Sequence, residues 1–266
     1  MKPRLYASLL AVGLTTLVGA AVAENAPQAH PSGYLAPGAA PDALKILPRP
    51  PAAGSAREAA DRRVFFQTRA LAGTPRWTLA TQDANLIQST GMFSCAVGVD
   101  LDPARAPALA LVFRKVAYST GAVTNPAKEH YQRARPYTLP DAASAPVCVP
   151  KTEGLTRNGS YPSGHATLSW AWGLVLAELA PDRATDILAR ARGIGDSRVV
   201  CGVHYLSDVQ AGRLAGASLV AVLHAQPTFR ADMERARSEL DALRSAPHAA
   251  PRDCAVQDEA AVNAPY

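Results

Sequence analysis

Long hydrophobic runs are scarce in this sequence of 266 residues. Beyond the N-terminal segment, the longest apolar stretches span residues 168–180 and 214–225. Both are shorter than the roughly 20 residues that a transmembrane helix needs, and the first also contains Glu178. We therefore predict two buried helices there, and no membrane association once the N-terminal segment has been removed.

Basic runs interleaved with aromatic residues are also missing, which argues against a nucleic-acid partner. The formal net charge is +5, and two of the positive charges, Lys2 and Arg4, belong to the N-terminal segment. The rest of the chain is mildly basic, a balance that suits small anionic substrates.

The N-terminal segment has the three-part pattern of a secretory signal peptide. Lys2 and Arg4 are followed by the apolar residues 5–18 and then by a small-residue motif at 21–23. A retained membrane anchor is the alternative, but the apolar run is too short to span a bilayer. We predict cleavage after Ala23 and a periplasmic or secreted location.

The alternation of polar and apolar residues that is typical of β-strands is rare in this sequence. Apolar residues recur instead with the period of an α-helix. Thr74 followed by Pro75 predicts the N-cap and the first residue of a helix, and Asp102 before Pro103 predicts another such start. No internal repeat is evident. We therefore predict an all-α fold, a single-domain helical bundle.

Composition and pattern divide the chain into four segments. They are a signal peptide (1–23), a Pro/Ala-rich N-terminal arm (24–55), a helical domain (56–246) and a C-terminal tail (247–266). The helical domain is long enough to bury one hydrophobic core.

The cysteines show no CxxC or mixed Cys/His spacing of a zinc site, so we predict no metal. In an exported chain, four cysteines indicate two disulfides, and these allow three connectivities. We favour Cys95 with Cys148 and Cys201 with Cys254, because this pairing joins sequence neighbours and attaches the tail to the core.

Three short stretches hold the residues best suited to chemistry on an anion. They contain Lys128 and Arg135, then Ser163, Gly164 and His165, and then Arg198, His204 and Asp208. A single cation of this kind more often lies on a solvated face, so the inference depends on the combination.

In the third stretch a carboxylate follows an imidazole by one helical turn. If a helix begins near His204, Asp208 lies on the same face and can bond one ring nitrogen of the imidazole. The other nitrogen is then free to act as a nucleophile. A surface helix pair is the alternative explanation of this spacing. Arg198 adds a planar guanidinium suited to phosphate oxygens.

The second stretch is a polar turn that leads into the apolar segment 166–180. Backbone N–H groups at a helix start, here those of Ser163, Gly164 and His165, form an anion site together with the Ser163 hydroxyl. We expect His165 to face the bound anion as a proton donor.

The three stretches together resemble the three-part signature of the phosphatidic acid phosphatase type 2 superfamily, with every position filled in order. Further matches, to class A bacterial non-specific acid phosphatases, lie at residues 34–42, 47–51, 73–77 and 195–204. The resemblance runs from about residue 34 to about residue 223. It implies the all-α bundle of the phosphatidic acid phosphatase and haloperoxidase type, with the N-terminal arm packed on it.

The resemblance also implies a metal-independent, cofactor-free acid phosphatase that hydrolyses small phosphomonoesters with broad specificity and transfers phosphate as a side activity. In it His204 would attack phosphorus to form a phosphohistidine, steadied by Asp208, while His165 would protonate the leaving alcohol and then activate water. Because these steps need neutral His204 and protonated His165, activity should follow a bell in pH. The remaining matched positions would bind phosphate: Lys128, Arg135, Ser163, Gly164 and Arg198.

Other functions fit part of this pattern. A vanadium-dependent haloperoxidase would use nearly the same anion pocket, although the class A matches and the modest length argue against it. A lipid phosphatase would use the same residues on a membrane, for which the sequence lacks spans. A non-enzymatic exported phosphate-binding protein would have no use for His204 paired with Asp208 opposite His165. The sequence leaves the preferred ester and homo-oligomerisation open.

Overall fold

The computed structural model describes Met1 and residues 32–266, except the side chains of residues 87–89. Apart from Met1, the predicted signal peptide lies outside the described residues, as does the first part of the predicted arm. Residues 32–266 form α-helices, short 3-10 helices and loops with no β-strand among them, so the all-α prediction is confirmed. Within this range no helix combines the length and the apolar character that crossing a bilayer requires.

The α-helices, in chain order, are α1 (Ala43–Ile46), α2 (Ala56–Thr68), α3 (Pro75–Gln82), α4 (Ser94–Val97), α5 (Pro107–Tyr131), α6 (Glu153–Arg157), α7 (Gly164–Leu179), α8 (Ala184–Val200), α9 (Leu206–Leu223), α10 (Pro227–Ser245) and α11 (Ala255–Val262). Short 3-10 helices lie at Arg69–Leu71, Leu86–Phe93, Pro136–Thr138, Pro140–Ala142 and Pro181–Arg183.

Capping side chains explain where two of the predicted helices begin. Thr74 caps α3 by accepting the Trp77 N–H at 3.4 Å, and Pro75 takes the first helical position, as predicted. Ser163 caps α7 in the same way and accepts the Ala166 N–H at 3.3 Å. Both starts follow from interactions within one turn of the chain.

The predicted helix start at Asp102 and Pro103 is wrong, because α5 begins only at Pro107. The Asp102 carboxylate accepts the Ala104 N–H at 2.8 Å and so closes a separate turn before the helix. The second proline, Pro107, then takes the first helical position that the pattern had assigned to Pro103.

Helix α7 lies in the core of the bundle, packed against α5, α8 and α9. Trp172 of α7 stacks on Phe113 of α5 with ring centroids 4.9 Å apart, and its indole N–H donates to the Phe113 carbonyl at 2.9 Å. The one polar atom of the indole is therefore satisfied inside an apolar core. Helix α10 covers α5 with a buried stripe that includes Phe229, Met233 and Leu240.

Helices α7 and α9 approach each other closely at two glycines of α9. A Cβ atom added at Gly212 would lie 2.6 Å from the Ser163 carbonyl oxygen, and one added at Gly216 would lie 2.5 Å from that of Thr167. Only glycine permits this backbone contact. The Ser163 N–H also donates to the Asp208 carbonyl at 3.0 Å, so the beginnings of α7 and α9 are fixed to each other.

The described part of the N-terminal arm packs on the bundle. The Tyr34 N–H donates to the Ser119 hydroxyl oxygen at 3.1 Å, and the Tyr34 hydroxyl donates to the Asp232 carboxylate at 3.0 Å. Farther along, the Tyr161 hydroxyl donates to the carbonyl of Pro48. Composition alone would make this segment a linker, but buried polar contacts hold it in place.

The preferred disulfide pairing is wrong. Cys95 pairs with Cys254 and Cys148 pairs with Cys201, with Cα–Cα distances of 5.6 and 4.7 Å. The loop that carries Cys148 runs beside the end of α8, where the Cys148 N–H donates to the Cys201 carbonyl at 3.1 Å. Proximity in sequence does not distinguish the partners, since Cys148 is 53 residues from Cys201 and equally far from Cys95. The packing of loop against helix decides the pairing, because it brings Cys148 to Cys201.

The predicted C-terminal tail contains α11, which packs against α3 and α8. The Cys254 disulfide attaches its start to α4, and the Arg192 guanidinium of α8 donates to the Ala261 carbonyl. Beyond the helix, the Tyr266 hydroxyl donates to the Asp196 carboxylate of α8 at 2.7 Å. The last residues of the chain thus brace the helix that carries Arg198.

Candidate active site

The eight candidate residues meet where α5 and α8 end and where α7 and α9 begin. Short connections make α7, α8 and α9 antiparallel neighbours, so the end of α8 returns to the beginnings of the other two. The eight residues are Lys128 near the end of α5, Arg135 in the loop after it, Ser163, Gly164 and His165 at the start of α7, Arg198 in the last turn of α8, His204 in the loop before α9, and Asp208 in the first turn of α9.

The start of α7 supplies fewer backbone donors than the sequence predicts. The Ser163 N–H is taken by the Asp208 carbonyl, so it cannot also bind an anion. The Ser163 hydroxyl oxygen accepts the Ala166 N–H, which leaves its own proton available to an anion. Gly164 and His165 occupy the first two helical positions, where N–H groups have no intrahelical acceptor.

Arg198 is a buried guanidinium whose hydrogen bonds are incomplete. The residue is only 3% exposed, and its Nε and Nη1 atoms have no hydrogen-bond acceptor among the described residues. Burial, followed by the nearby charge of Arg135, lowers its pKa to about 10. A buried cation with unpaired donors is costly, and an anion bound beside it would remove that cost.

Lys128 supplies a second cation at the end of α5. Its ammonium group donates to the Gly159 carbonyl in the loop before α7. Burial, with a smaller effect from the charge of Arg135, lowers the pKa of Lys128 to about 8. With this pKa the lysine is still charged at acidic pH, and a bound anion would stabilise the charge.

Arg135 binds the loops around the site and contacts His204. Its Nε donates to the Leu155 carbonyl at 2.7 Å, and its Nη1 donates to the Val203 carbonyl at 2.8 Å. The same Nη1 lies 3.2 Å from His204 Nε2. Arginine can only donate, so His204 Nε2 carries a lone pair and the proton of the neutral ring is on Nδ1.

The Asp208 carboxylate lies beside the protonated nitrogen of His204. Its Oδ2 is 3.4 Å from His204 Nδ1 and accepts the Tyr205 N–H at 2.9 Å. Helix α9 begins at Leu206, two residues after His204, and Asp208 stands at its third position. The helix therefore starts slightly later than the sequence suggests, but one carboxylate oxygen still faces the imidazole.

His204 is held in the neutral form that nucleophilic attack requires. The residue is 3% exposed, and burial lowers its pKa well below the usual value of 6.5, with Arg135 and Lys128 as the next causes. The lone pair on Nε2 thus faces a strongly positive region. A neutral imidazole nitrogen with a free lone pair can act as a nucleophile toward a group bound by these cations.

His165 has a different partner and a different available nitrogen. Its Nε2 lies 3.1 Å from the Ala84 carbonyl, which can only accept, so this nitrogen carries a proton. Nδ1 remains to exchange a proton with a bound molecule. Burial, and then the charge of Arg198, lower the pKa of His165 well below 6.5, while the bond to Ala84 opposes them.

Two residues that the sequence did not single out complete the surroundings of Asp208. Arg133 Nη1 donates to Asp208 Oδ1 at 2.6 Å, and Arg133 Nη2 donates to the Asp61 carboxylate of α2 at 2.8 Å. Arg133 stands two residues before Arg135, inside a stretch already noted, but no local pattern indicates its partner in α2. Its role is visible only once the helices are packed.

No group of three or more His, Cys, Asp or Glu side chains within residues 32–266 is arranged to hold a metal ion. The positive charge of the site comes from Lys128, Arg135 and Arg198.

Known proteins resemble this chain over most of its length. A family model described as the PAP2 superfamily matches residues 108–232. The chain is 40% identical over 247 residues to an acid phosphatase from Zymomonas mobilis, which covers 92% of this chain and 90% of that protein. It is 36% identical over 215 residues to a non-specific acid phosphatase from Providencia stuartii, covering 79% of this chain and 86% of that protein.

Among solved structures, a transmembrane PAP2 type phosphatidylglycerolphosphate phosphatase from Bacillus subtilis aligns with 69% of this chain and 89% of its own, at 18% identity and a TM-score of 0.47.

Proposed function

The chain belongs to the PAP2 superfamily and is an acid phosphatase of that family, and from this premise we propose that it hydrolyses a broad range of small phosphate monoesters through a phosphohistidine on His204. The observation that carries the mechanism is the orientation of His204. Its Nε2 lone pair faces the cations, and its Nδ1 proton faces Asp208. His204 therefore needs no separate base to deprotonate it before it attacks phosphorus.

In the first half-reaction His204 Nε2 attacks phosphorus and the bond from phosphorus to the ester oxygen breaks. The imidazole gains positive charge as the new P–N bond forms, and Asp208 stabilises that charge across its contact with Nδ1. Arg198 supplies unpaired N–H donors to the equatorial oxygens, where negative charge concentrates during phosphoryl transfer.

His165 handles the proton of the leaving group. Burial and the charge of Arg198 lower its pKa because both disfavour the imidazolium. A phosphate ester brings negative charge into the same space and so raises this pKa toward the acidic pH range. The protonated ring donates to the departing alkoxide, and the neutral ring then takes a proton from the water that attacks the phosphohistidine.

The test is rapid quenching with a radiolabelled phosphomonoester. Wild-type protein should trap an acid-labile, base-stable label on His204, and His204→Asn should trap none and lose turnover. The exposed histidine at the other end of the chain, in His248→Asn, is the matched control and should behave as wild type. Label on any other residue, or full turnover in His204→Asn, would exclude the mechanism.

We further propose that the protein acts in the periplasm or outside the cell. The signal-peptide pattern and the pairing of all four cysteines support this location, since disulfides persist in oxidising compartments. Osmotic-shock fractionation followed by N-terminal sequencing should recover a chain that begins at Glu24. Recovery of uncleaved protein from the cytoplasmic fraction would contradict the proposal.

A further inference from the structure

Arg133 and Asp61 lie next to the reacting groups, yet the mechanism above gives neither of them a part. Both are largely buried, with side chains 12% and 4% exposed. Arg133 also stacks over the Tyr205 ring, with its guanidinium carbon 4.1 Å from the ring centroid. A buried arginine held by a ring and two carboxylates has a fixed position.

Arg133 joins Asp61 of α2 to the start of α9. Its Nη1 donates to Asp208 Oδ1 at 2.6 Å and to the Ser207 hydroxyl at 2.8 Å, and its Nη2 donates to Asp61 Oδ2 at 2.8 Å. Asp61 Oδ1 accepts the Ser207 N–H at 2.9 Å. These bonds fix both the arginine and the first turn of α9.

The Asp208 carboxylate consequently has its two oxygens assigned to different tasks. Arg133 occupies Oδ1, so the carboxylate cannot rotate without losing a charge-assisted hydrogen bond. Oδ2 is left for the Tyr205 N–H and for His204 Nδ1. The orientation of the carboxylate toward the imidazole is thus set from its far side.

The charges of this cluster also leave Asp208 able to stabilise an imidazolium. Asp61 and Asp208 together carry two negative charges against the single positive charge of Arg133, so the three hydrogen-bonded side chains have a net charge of −1. If Asp61 were absent, Arg133 would neutralise Asp208 alone. Asp61 therefore preserves the carboxylate's charge for His204 at the moment when the imidazole becomes positive.

Burial opposes ionisation of Asp208 and raises its pKa, while Arg133 is the largest of the effects that lower it. The other charged and titratable groups near this carboxylate come from every element around it: Lys128 of α5, Arg135 of the loop after α5, Tyr161 of the loop before α7, and His204 and Tyr205 of the loop before α9. Among the described residues, Arg133 is the arginine or lysine that hydrogen-bonds the Asp208 carboxylate directly, whereas Lys128 and Arg135 act on it through space.

We propose that Arg133, held in place by Asp61, is a positioning residue that fixes the orientation and the charge of Asp208 behind the nucleophile His204. The proposal rests on the phosphohistidine mechanism. It assigns Arg133 a role through Asp208, without contact to the substrate.

The decisive variant is Arg133→Gln, assayed with an aryl phosphate across the acidic and neutral pH range. We expect kcat to fall about 10- to 100-fold with little change in KM, as for other residues that orient a reacting group. Without the guanidinium Asp208 takes up a proton at higher pH, so the acid limb of the kcat profile should move to higher pH. A merely structural loss would lower kcat equally at every pH.

A double-variant cycle separates an action through Asp208 from any other. In the Asp208→Asn background, Arg133→Gln should change kcat less than about twofold, because the group it acts on is gone. Arg62→Gln removes a neighbouring arginine that pairs with Asp141 at the surface, and it should match wild type. Full additivity of Arg133→Gln and Asp208→Asn would overturn the proposal.

Two milder variants keep the inference testable if Arg133→Gln does not fold. Arg133→Lys retains the charge but cannot reach both carboxylates, so the acid limb should stay in place while kcat falls. Asp61→Asn should lower kcat because Arg133 then neutralises Asp208. Unchanged kcat in both would overturn the proposal. Absence of a phosphoenzyme in the wild type would instead refute the proposed function, and an active wild type with an unaffected Arg133→Gln would refute only the role of Arg133.

Discussion

Helix α8 carries two buried arginines about two turns apart, and they differ in how completely their N–H groups are hydrogen-bonded. Arg190 is bound by both oxygens of the buried Asp83, at 3.1 and 2.5 Å, and its Nε donates to the Met92 carbonyl at 2.9 Å. Arg198 has two nitrogens without an acceptor among residues 32–266. The fold completes the bonding of one arginine and leaves the other for a ligand.

The difference leads us to expect that Arg190 matters for stability and Arg198 for activity, although both lie on one helix. A buried pair such as Arg190 and Asp83 resists the loss of either partner, since the remaining charge would be buried alone. Arg198 has no carboxylate partner within the described part of the chain, so replacing it leaves no carboxylate buried alone and should cost less stability. The comparison predicts that equivalent substitutions at the two positions have opposite consequences.

The largest effects should come from Arg198→Met and Arg190→Met. Arg198→Met should lower kcat/KM by about 10²–10³-fold, as loss of a transition-state donor does, while the free energy of unfolding stays equal or rises. Arg190→Met should lower the free energy of unfolding by about 3–5 kcal/mol and leave kcat of the folded fraction near wild type. Urea unfolding and kcat/KM on both variants measure the contrast, and equal destabilisation by the two would contradict it.

The two disulfides also differ in whether they lie near the active site, and their removal should give the next largest effects. Each should contribute about 2–4 kcal/mol, and the bridge across the longer loop somewhat more. Cys148 and Cys201 close a separation of 53 residues, and Cys201 lies three positions from both Arg198 and His204. Cys95 and Cys254 close a separation of 159 residues. Replacing the first pair with serine should therefore lower kcat as well as stability.

Replacing Cys95 and Cys254 should lower the melting temperature alone. Calorimetry and kcat at a temperature below both transitions separate the two outcomes. A fall in kcat for the Cys95 and Cys254 variant, matching that of the other pair, would show that the two bridges do not differ in function.

A third comparison is between the two buried histidines of the site and the same residues in the unfolded chain. Burial and the neighbouring cations hold the pKa values of His165 and His204 below 6.5, so the unfolded chain binds more protons than the folded one in mildly acidic solution. The free energy of unfolding should therefore fall as pH drops through and below about 6.5. Replacing both histidines with asparagine should flatten this dependence.

Vanadate should weaken the same pH dependence by bringing negative charge to both rings, and it should inhibit the enzyme as a mimic of the transition state. Urea unfolding at several pH values, with and without vanadate, provides the measurement. A dependence that persists unchanged in the double histidine variant would assign it to other groups.

The smallest effect should come from an exposed ion pair, the opposite extreme from Arg190 and Asp83. Arg105 and Asp100 lie 3.1 Å apart with side chains 47% and 49% exposed. Arg105→Ala should change the free energy of unfolding by no more than about 0.5 kcal/mol and should leave kcat unchanged, because solvent and salt screen the pair. A loss above 2 kcal/mol in urea unfolding would contradict this ordering.

Sequence was sufficient where the deciding interaction is local. Ser163 caps α7 through a bond to a residue three positions away, and the same holds for Thr74 and α3. The spacing of one helical turn likewise predicted that Asp208 lies beside His204. It failed at Asp102, where two competing prolines follow and the side chain closes a turn before the helix.

Interactions between distant segments could not be predicted in this way. The pairing of Cys148 with Cys201 depends on a loop packing beside α8, and the position of Arg133 depends on Asp61, 72 residues earlier in the chain. The loss of the Ser163 N–H as an anion donor is of the same kind, because the Asp208 carbonyl that takes it comes from another helix.

The close contact of Gly212 and Gly216 with α7 has a consequence for inhibition by the product. Because Gly212 sets α9 against the Ser163 carbonyl, the anion-binding turn and the Asp208 carboxylate belong to one rigid unit. A rigid site fits released inorganic phosphate as well as the phosphate group of an ester. We expect inorganic phosphate, the product, to compete with the ester substrate. Turnover should therefore slow as the concentration of free phosphate rises.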